Sequence, residues 1–90
     1  MSVATGRRTV RLTVVDAWRT VALEAAPGET VAALKARALA ACGIPAERAD
    51  EYESKLAGAL VRDERQSLTA LGVPDGGALV VLPRRRRAVR

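Results

Sequence analysis

Apolar and polar residues alternate over residues 9–15, with Val10, Leu12 and Val14 on one face and Arg11 and Thr13 on the other. This is the period of a half-buried strand. A turn around Asp16-Ala17-Trp18 leads to a second alternating run, Thr20 to Ala25, so the two form a hairpin. Pro27-Gly28-Glu29-Thr30 breaks that strand and offers Thr30 as a helix N-cap, with Glu29 beside the positive end of the helix. From Val31 the spacing becomes helical: Val31, Leu34, Ala38 and Ala41 share a stripe, and Lys35 and Arg37 lie away from its centre. Gly43 suits the C′ position and Pro45 prevents continuation.

After the polar connection 44–51, Tyr52, Ser54 and Leu56 alternate with Glu53 and Lys55 in a third strand. Gly58 permits a tight turn into a short return strand at Leu60-Val61. Ser67 caps a single helical or 3₁₀ turn over residues 67–72, and Asp75-Gly76-Gly77 feeds a last strand, Ala78 to Pro83. The expected order is ββαββ, a short turn, then β. This is an α+β fold with a mixed sheet of four to five strands on one main helix. Residues 1–8 read as a flexible N-terminus, 9–83 as the domain and 84–90 as an arginine-rich tail.

Ninety residues are enough for one core, burying roughly 60% or a little more of the unfolded surface. With no Phe, and Trp18 and Tyr52 as the only aromatics, that core is aliphatic and offers no stacking platform for bases. A single cysteine excludes an internal disulfide and a cysteine-based zinc site, and the lack of histidine removes the commonest general base and metal ligand. Neither an enzyme nor a cofactor is expected. No run approaches the length of a membrane span, and a cytoplasmic protein is expected.

The charge of +5 is unevenly distributed. Residues 1–83 hold ten basic and ten acidic groups, whereas residues 84–90 hold five arginines and no acid. The domain is neutral and the tail carries the charge.

Two segments carry a resemblance. Pro27-Gly28-Glu29-Thr30-Val31 through Lys35-Ala36-Arg37 to Gly43-Ile44-Pro45 resembles the hairpin-to-helix passage of ubiquitin, and Ser67-Leu68-Thr69 through Val73 to Leu79-Val80-Val81-Leu82 resembles the approach to its last strand. The resemblance implies a ubiquitin-like β-grasp over nearly all of residues 9–83. Conjugated relatives end in Gly-Gly, whereas the corresponding positions here are about Arg87-Ala88, followed by Val89-Arg90. Gly76-Gly77 precedes the last strand and reads as a turn. Among ubiquitin-like proteins without the diglycine, the chain is most similar to the YukD/EsaB-like proteins of bacterial type VII secretion. Shared features are the long excursion between helix and last strand, an aromatic at Tyr52, and the Gly72-Val73-Pro74-Asp75-Gly76 approach. In those proteins the chain usually stops near the position of Leu82, so the arginines are an addition.

The resemblance places Leu79 and Val81 in the core, Val80 and Leu82 on the outer face, and Lys55 near the centre of the surface by which ubiquitin-like proteins bind partners. Lys55, Val80 and Leu82, with Arg84, Arg85, Arg86 and Arg87, are the candidate partner-binding residues. The partner expected is a protein, a membrane-associated secretion component in the most specific version. The bland alternative for Val80 and Leu82 is scattered surface apolars. The arginine run is either a solvated tail or a salt-sensitive contact with an acidic protein, an anionic lipid surface or nucleic acid. No basic face on the folded part is expected to extend it, and no sequence-specific nucleic-acid binding is expected. A modifier or carrier of a bacterial ubiquitin-type pathway is the other reading, opposed by the missing glycines. Cys42 is expected to be a small buried hydrophobe, Trp18 to lay its ring over the core edge, with an exposed contact residue as the alternative, and Glu51, Glu53, Asp63 and Glu64 not to form a spaced catalytic pair.

Overall fold

The alternation at the start of the chain becomes strand β1, Arg8–Val14, paired antiparallel with β2, Arg19–Ala25, in the register Arg8↔Ala25 to Val14↔Arg19. A computed structural model describes residues 7–26 and 28–84. Val10, Leu12 and Val14 are fully buried. A 3₁₀ turn, Val15–Ala17, joins the strands, and Trp18 closes it in the left-handed region at φ 52°. That conformation directs the indole outward, so Trp18 is 85% exposed and does not cover the core edge as expected.

Helix α1, Val31–Ala41, starts where Thr30 Oγ1 accepts the Ala33 N–H at 3.1 Å. It ends in a Schellman arrangement at Gly43 (φ 82°), with Gly43 N–H donating to Ala40 C=O and Ile44 N–H to Leu39 C=O. The connection expected to be merely polar winds into a 3₁₀ helix, Ala46–Glu51, and then β3 runs Tyr52–Leu56. Ala57 (φ 53°) and Gly58 (φ 84°) both take positive φ in a two-residue turn, the requirement of a type I′ hairpin. Strand β4, Ala59–Leu60, follows; then comes the four-residue helix α2, Leu68–Leu71, whose Ser67 cap accepts the Ala70 N–H at 3.0 Å. Strand β5, Ala78–Pro83, lies parallel to β1 and antiparallel to β3, giving the sheet order β2-β1-β5-β3-β4.

One sheet face buries Val10, Leu12, Val14, Tyr52, Leu79 and Val81 against Val31, Leu34, Ala38 and Leu39 of α1. Lys35 also belongs to this face, which corrects the expected stripe: Lys35 is 3% exposed, whereas Ala41 is exposed. Its position one turn after Val31 and one turn before Leu39 makes it an inward position, and its aliphatic stem suits the core. The ammonium donates to Tyr52 C=O at 2.8 Å and pairs with Glu64 at 2.6 Å. Glu64 is held there by the backbone, because Ala32 N–H donates to Glu64 C=O (2.8 Å) and Val31 N–H to Gln66 C=O (3.2 Å). These bonds satisfy donors that a helix N-terminus leaves unpaired. The Ser54 hydroxyl is buried with no partner among the described residues.

Breaking the buried pair leaves a charge without compensation, so Lys35→Met is expected to destabilise by about 3 kcal/mol and Lys35→Met/Glu64→Leu to recover most of it. Urea midpoints check this; a single variant within about 0.5 kcal/mol of the parent shows that the pair does not hold α1. Tyr52 gives an independent reading. Its hydroxyl donates to Asp16 Oδ2 at 2.9 Å, and burial first, then the hydrogen bond and charge of Asp16, raise its pKa above the ordinary 10.0. The neutral phenol is favoured by folding, so its contribution is whole below about pH 10 and is lost as pH rises through the higher folded pKa. As the only tyrosine, it titrates cleanly: the tyrosinate absorbance midpoint should lie above 10 in the native protein and move down in Asp16→Asn.

Candidate functional site

The outer face of the sheet is not covered by α1, and the strand registers decide what it shows. Val80 stands opposite Lys55 on one side and Thr13 on the other, and Lys55 stands opposite Leu60. Thr13 pairs with Thr20, and their hydroxyls are 3.0 Å apart. One row across the sheet therefore reads Thr20, Thr13, Val80, Lys55, Leu60. Leu82 lies two residues along β5, opposite Glu53. Leu79 and Val81 are buried, whereas Val80 is 36% and Leu60 42% exposed. Lys55, Val80 and Leu82 lie near one another on this part of the sheet. Leu60 joins them: a two-residue turn at Ala57-Gly58 places residue 60 opposite 55, an orientation legible in the hairpin spacing but not assigned from the sequence.

The last strand is locked onto β1 by the turn before it. Asp75 Oδ1 accepts Thr9 N–H at 2.7 Å, Gly76 N–H donates to Thr9 C=O at 2.7 Å, and Arg11 N–H donates to Gly77 C=O at 2.9 Å. Gly76 has φ 84°, and a Cβ on Gly77 would lie 2.9 Å from Pro74 O and from Val73 Cγ1. Both glycines are used by the turn itself, as the sequence implied. The Arg8 guanidinium also donates to Val73 C=O in the same corner.

Past the strand, Arg84 is anchored to the domain. Its N–H donates to Glu51 C=O (2.8 Å), its Nε to Asp50 C=O (2.7 Å), and its guanidinium lies 4.0 Å from Glu53. Arg85, Arg86 and Arg87 lie outside the described residues. Arg84 instead joins Arg62 and Arg65, with Leu60, in an open groove of about 610 Å³ beside β4. Asp63 and Glu64 line the same groove, so it gathers charges of both signs from positions far apart in the sequence. Trp18, read as a core-edge residue, is instead an exposed ring at the tip of the first hairpin. Cys42 is half-buried against the core.

No described helix is long and apolar enough to cross a membrane. No protein-family model and no curated protein matches the chain. Solved structures do match it. Ubiquitin from Caldiarchaeum subterraneum is 25% identical, with a TM-score of 0.75 over 92% of this chain and 100% of that one. A protein designed de novo on the basis of ubiquitin is 17% identical, with a TM-score of 0.74 over 97% of this chain and 100% of that one. With its mixed five-stranded sheet on one main helix, the chain has a ubiquitin-like β-grasp fold.

Proposed function

We propose that this protein is a non-catalytic, ubiquitin-like binding module that presents the outer sheet face to a protein partner. The observation that carries the reading is the row in which exposed Val80 and Leu60 flank Lys55, with Leu82 beside it. An apolar group around one cation gives a partner both area to bury and a charge to pair. The most specific version is an accessory or regulatory component of a bacterial type VII-like secretion system with a membrane-associated partner. It rests on the resemblance to the YukD/EsaB-like proteins. The arginines after Arg84 add a salt-sensitive contact with anionic surfaces in this reading.

A modifier or carrier role is the alternative, and the commitment of Gly76 and Gly77 to the turn argues against it, as does Arg87-Ala88 at the positions of the missing diglycine. Intact mass of the protein from its native cells separates the two. The binding reading expects an unmodified chain that co-purifies with a secretion ATPase or membrane component, and a terminal adduct to another protein overturns it.

Val80→Asp and Leu82→Asp should each change stability by about 1 kcal/mol or less, because the side chains face outward. Each should nevertheless abolish capture of the partner; undiminished capture refutes the sheet face as the site. A chain ending at Arg84 keeps the observed contacts with Asp50, Glu51 and Glu53, so its partner affinity isolates the remaining arginines. If they act as charges, truncation lowers affinity, and lowering the salt strengthens binding of the parent but not of the truncated chain.

A further inference from the structure

The groove beside β4 has features that the sheet-face reading leaves unused. Its cations are Arg62, Arg65 and Arg84, and its acids are Asp63 and Glu64. Glu64 is already paired with Lys35 at 2.6 Å. Asp63 lies 3.5 Å from an Arg65 side chain that is 90% exposed, and Arg62 has no ion pair among the described residues. Arg84 has Glu53 at 4.0 Å, so with Lys35 and Glu53 included four cations face three acids, and the surplus is one positive charge, that of Arg62. An apolar hollow of about 330 Å³, lined by Leu56, Ala59, Leu60 and Leu71, adjoins it and shares Leu60, Val61, Arg62 and Asp63.

The backbone at this edge is also available. β4 is the terminal strand of the sheet. Val61 N–H donates to Ser54 C=O at 2.9 Å, which makes 54 and 61 a hydrogen-bonded pair. In an antiparallel ladder such pairs alternate with non-bonded ones, so at the 55/60 pair the N–H and C=O of Leu60 point away from β3, off the sheet edge. Exposed backbone polarity, an apolar hollow and three guanidinium groups, of which Arg62 has no ion pair among the described residues, lie together.

We propose that this edge receives an extended, acidic peptide segment of a partner protein as an added strand. The main-chain bonds come from Leu60, an apolar side chain of the peptide enters the hollow by Leu56 and Leu71, and its carboxylates meet Arg62, Arg65 and Arg84. The proposal rests on the protein-binding reading but uses the adjoining sheet edge, which shares only Leu60 with the sheet-face row.

The test is a titration of the full chain, followed by backbone amide shifts, with a short peptide alternating glutamate and leucine. The lysine–leucine peptide, inorganic phosphate and a single-stranded oligonucleotide serve as comparators. Expected are shifts at residues 59–66 that shrink with added salt, and a loss of affinity of about tenfold in Arg62→Glu/Arg65→Glu, whose fold is confirmed by an unchanged spectrum elsewhere. Leu60→Pro, which removes the outward N–H, should also lose binding, whereas Leu60→Ala should keep part of it. No shifts at a few millimolar peptide overturns the proposal. So does equal binding of the lysine peptide, or shifts reproduced by phosphate or by the oligonucleotide, which would mark a simple anion site. Shifts centred on Val80 and Leu82 overturn it while leaving the sheet-face reading in place; failure of both surfaces brings down the two together.

Discussion

Strand β5 has to enter between β1 and β3, and its register there decides which of its residues are core and which are surface. Side chains alternate along a strand, so a slip of one position would exchange the buried Leu79 and Val81 for Val80 and Leu82. The bonds of Thr9 and Arg11 to Asp75, Gly76 and Gly77 fix the strand's entry. They act before the first β5 residue, so the register is set by polar contacts and maintained by apolar burial. The outer face inherits its pattern from this constraint, and the candidate binding row exists because the turn closes in one way.

A second constraint works from the helix side. An aliphatic core of this size fixes the rotation of α1 on the sheet only weakly, because Val, Leu and Ala pack adequately in several rotations. The Lys35 ammonium is more demanding, since it must reach both Tyr52 C=O and the Glu64 carboxylate. The pair therefore links α1 to β3 and to the segment that follows β4. This also positions the neighbours of Glu64, so the groove with Arg62 and Arg65 is tied to the orientation of the helix.

Local patterns made most of the fold legible. Strict alternation identified β1, β2, β3 and the inward faces of Val10, Leu12 and Val14, whereas the inward faces of Leu79 and Val81 came from the resemblance. Thr30, Gly43 and Ser67 marked the helix ends by chemistry that acts within a few residues. What escaped depends on contacts between distant residues. Lys35 reads as a surface lysine until Glu64 is brought beside it across 29 positions. Trp18 reads as a ring over the core edge, but a turn residue at positive φ points where the backbone sends it. The trio Lys55, Val80 and Leu82 was legible because a matched strand register could be carried over, whereas the cluster of Arg62, Arg65 and Arg84 required the chain to fold first.

The brevity of β4 has a consequence for behaviour at high concentration. A sheet edge that presents a long row of unpaired amides can recruit copy after copy and grow into a fibre. Here the strand is only Ala59 and Leu60, a last bond follows at Val61, the chain bends away at Arg62, and the arginines stand beside the opening. Two molecules approaching at this edge meet like charge and too few bonds to extend a ladder. The edge is thus shaped for a single short guest and against polymerisation of its own kind.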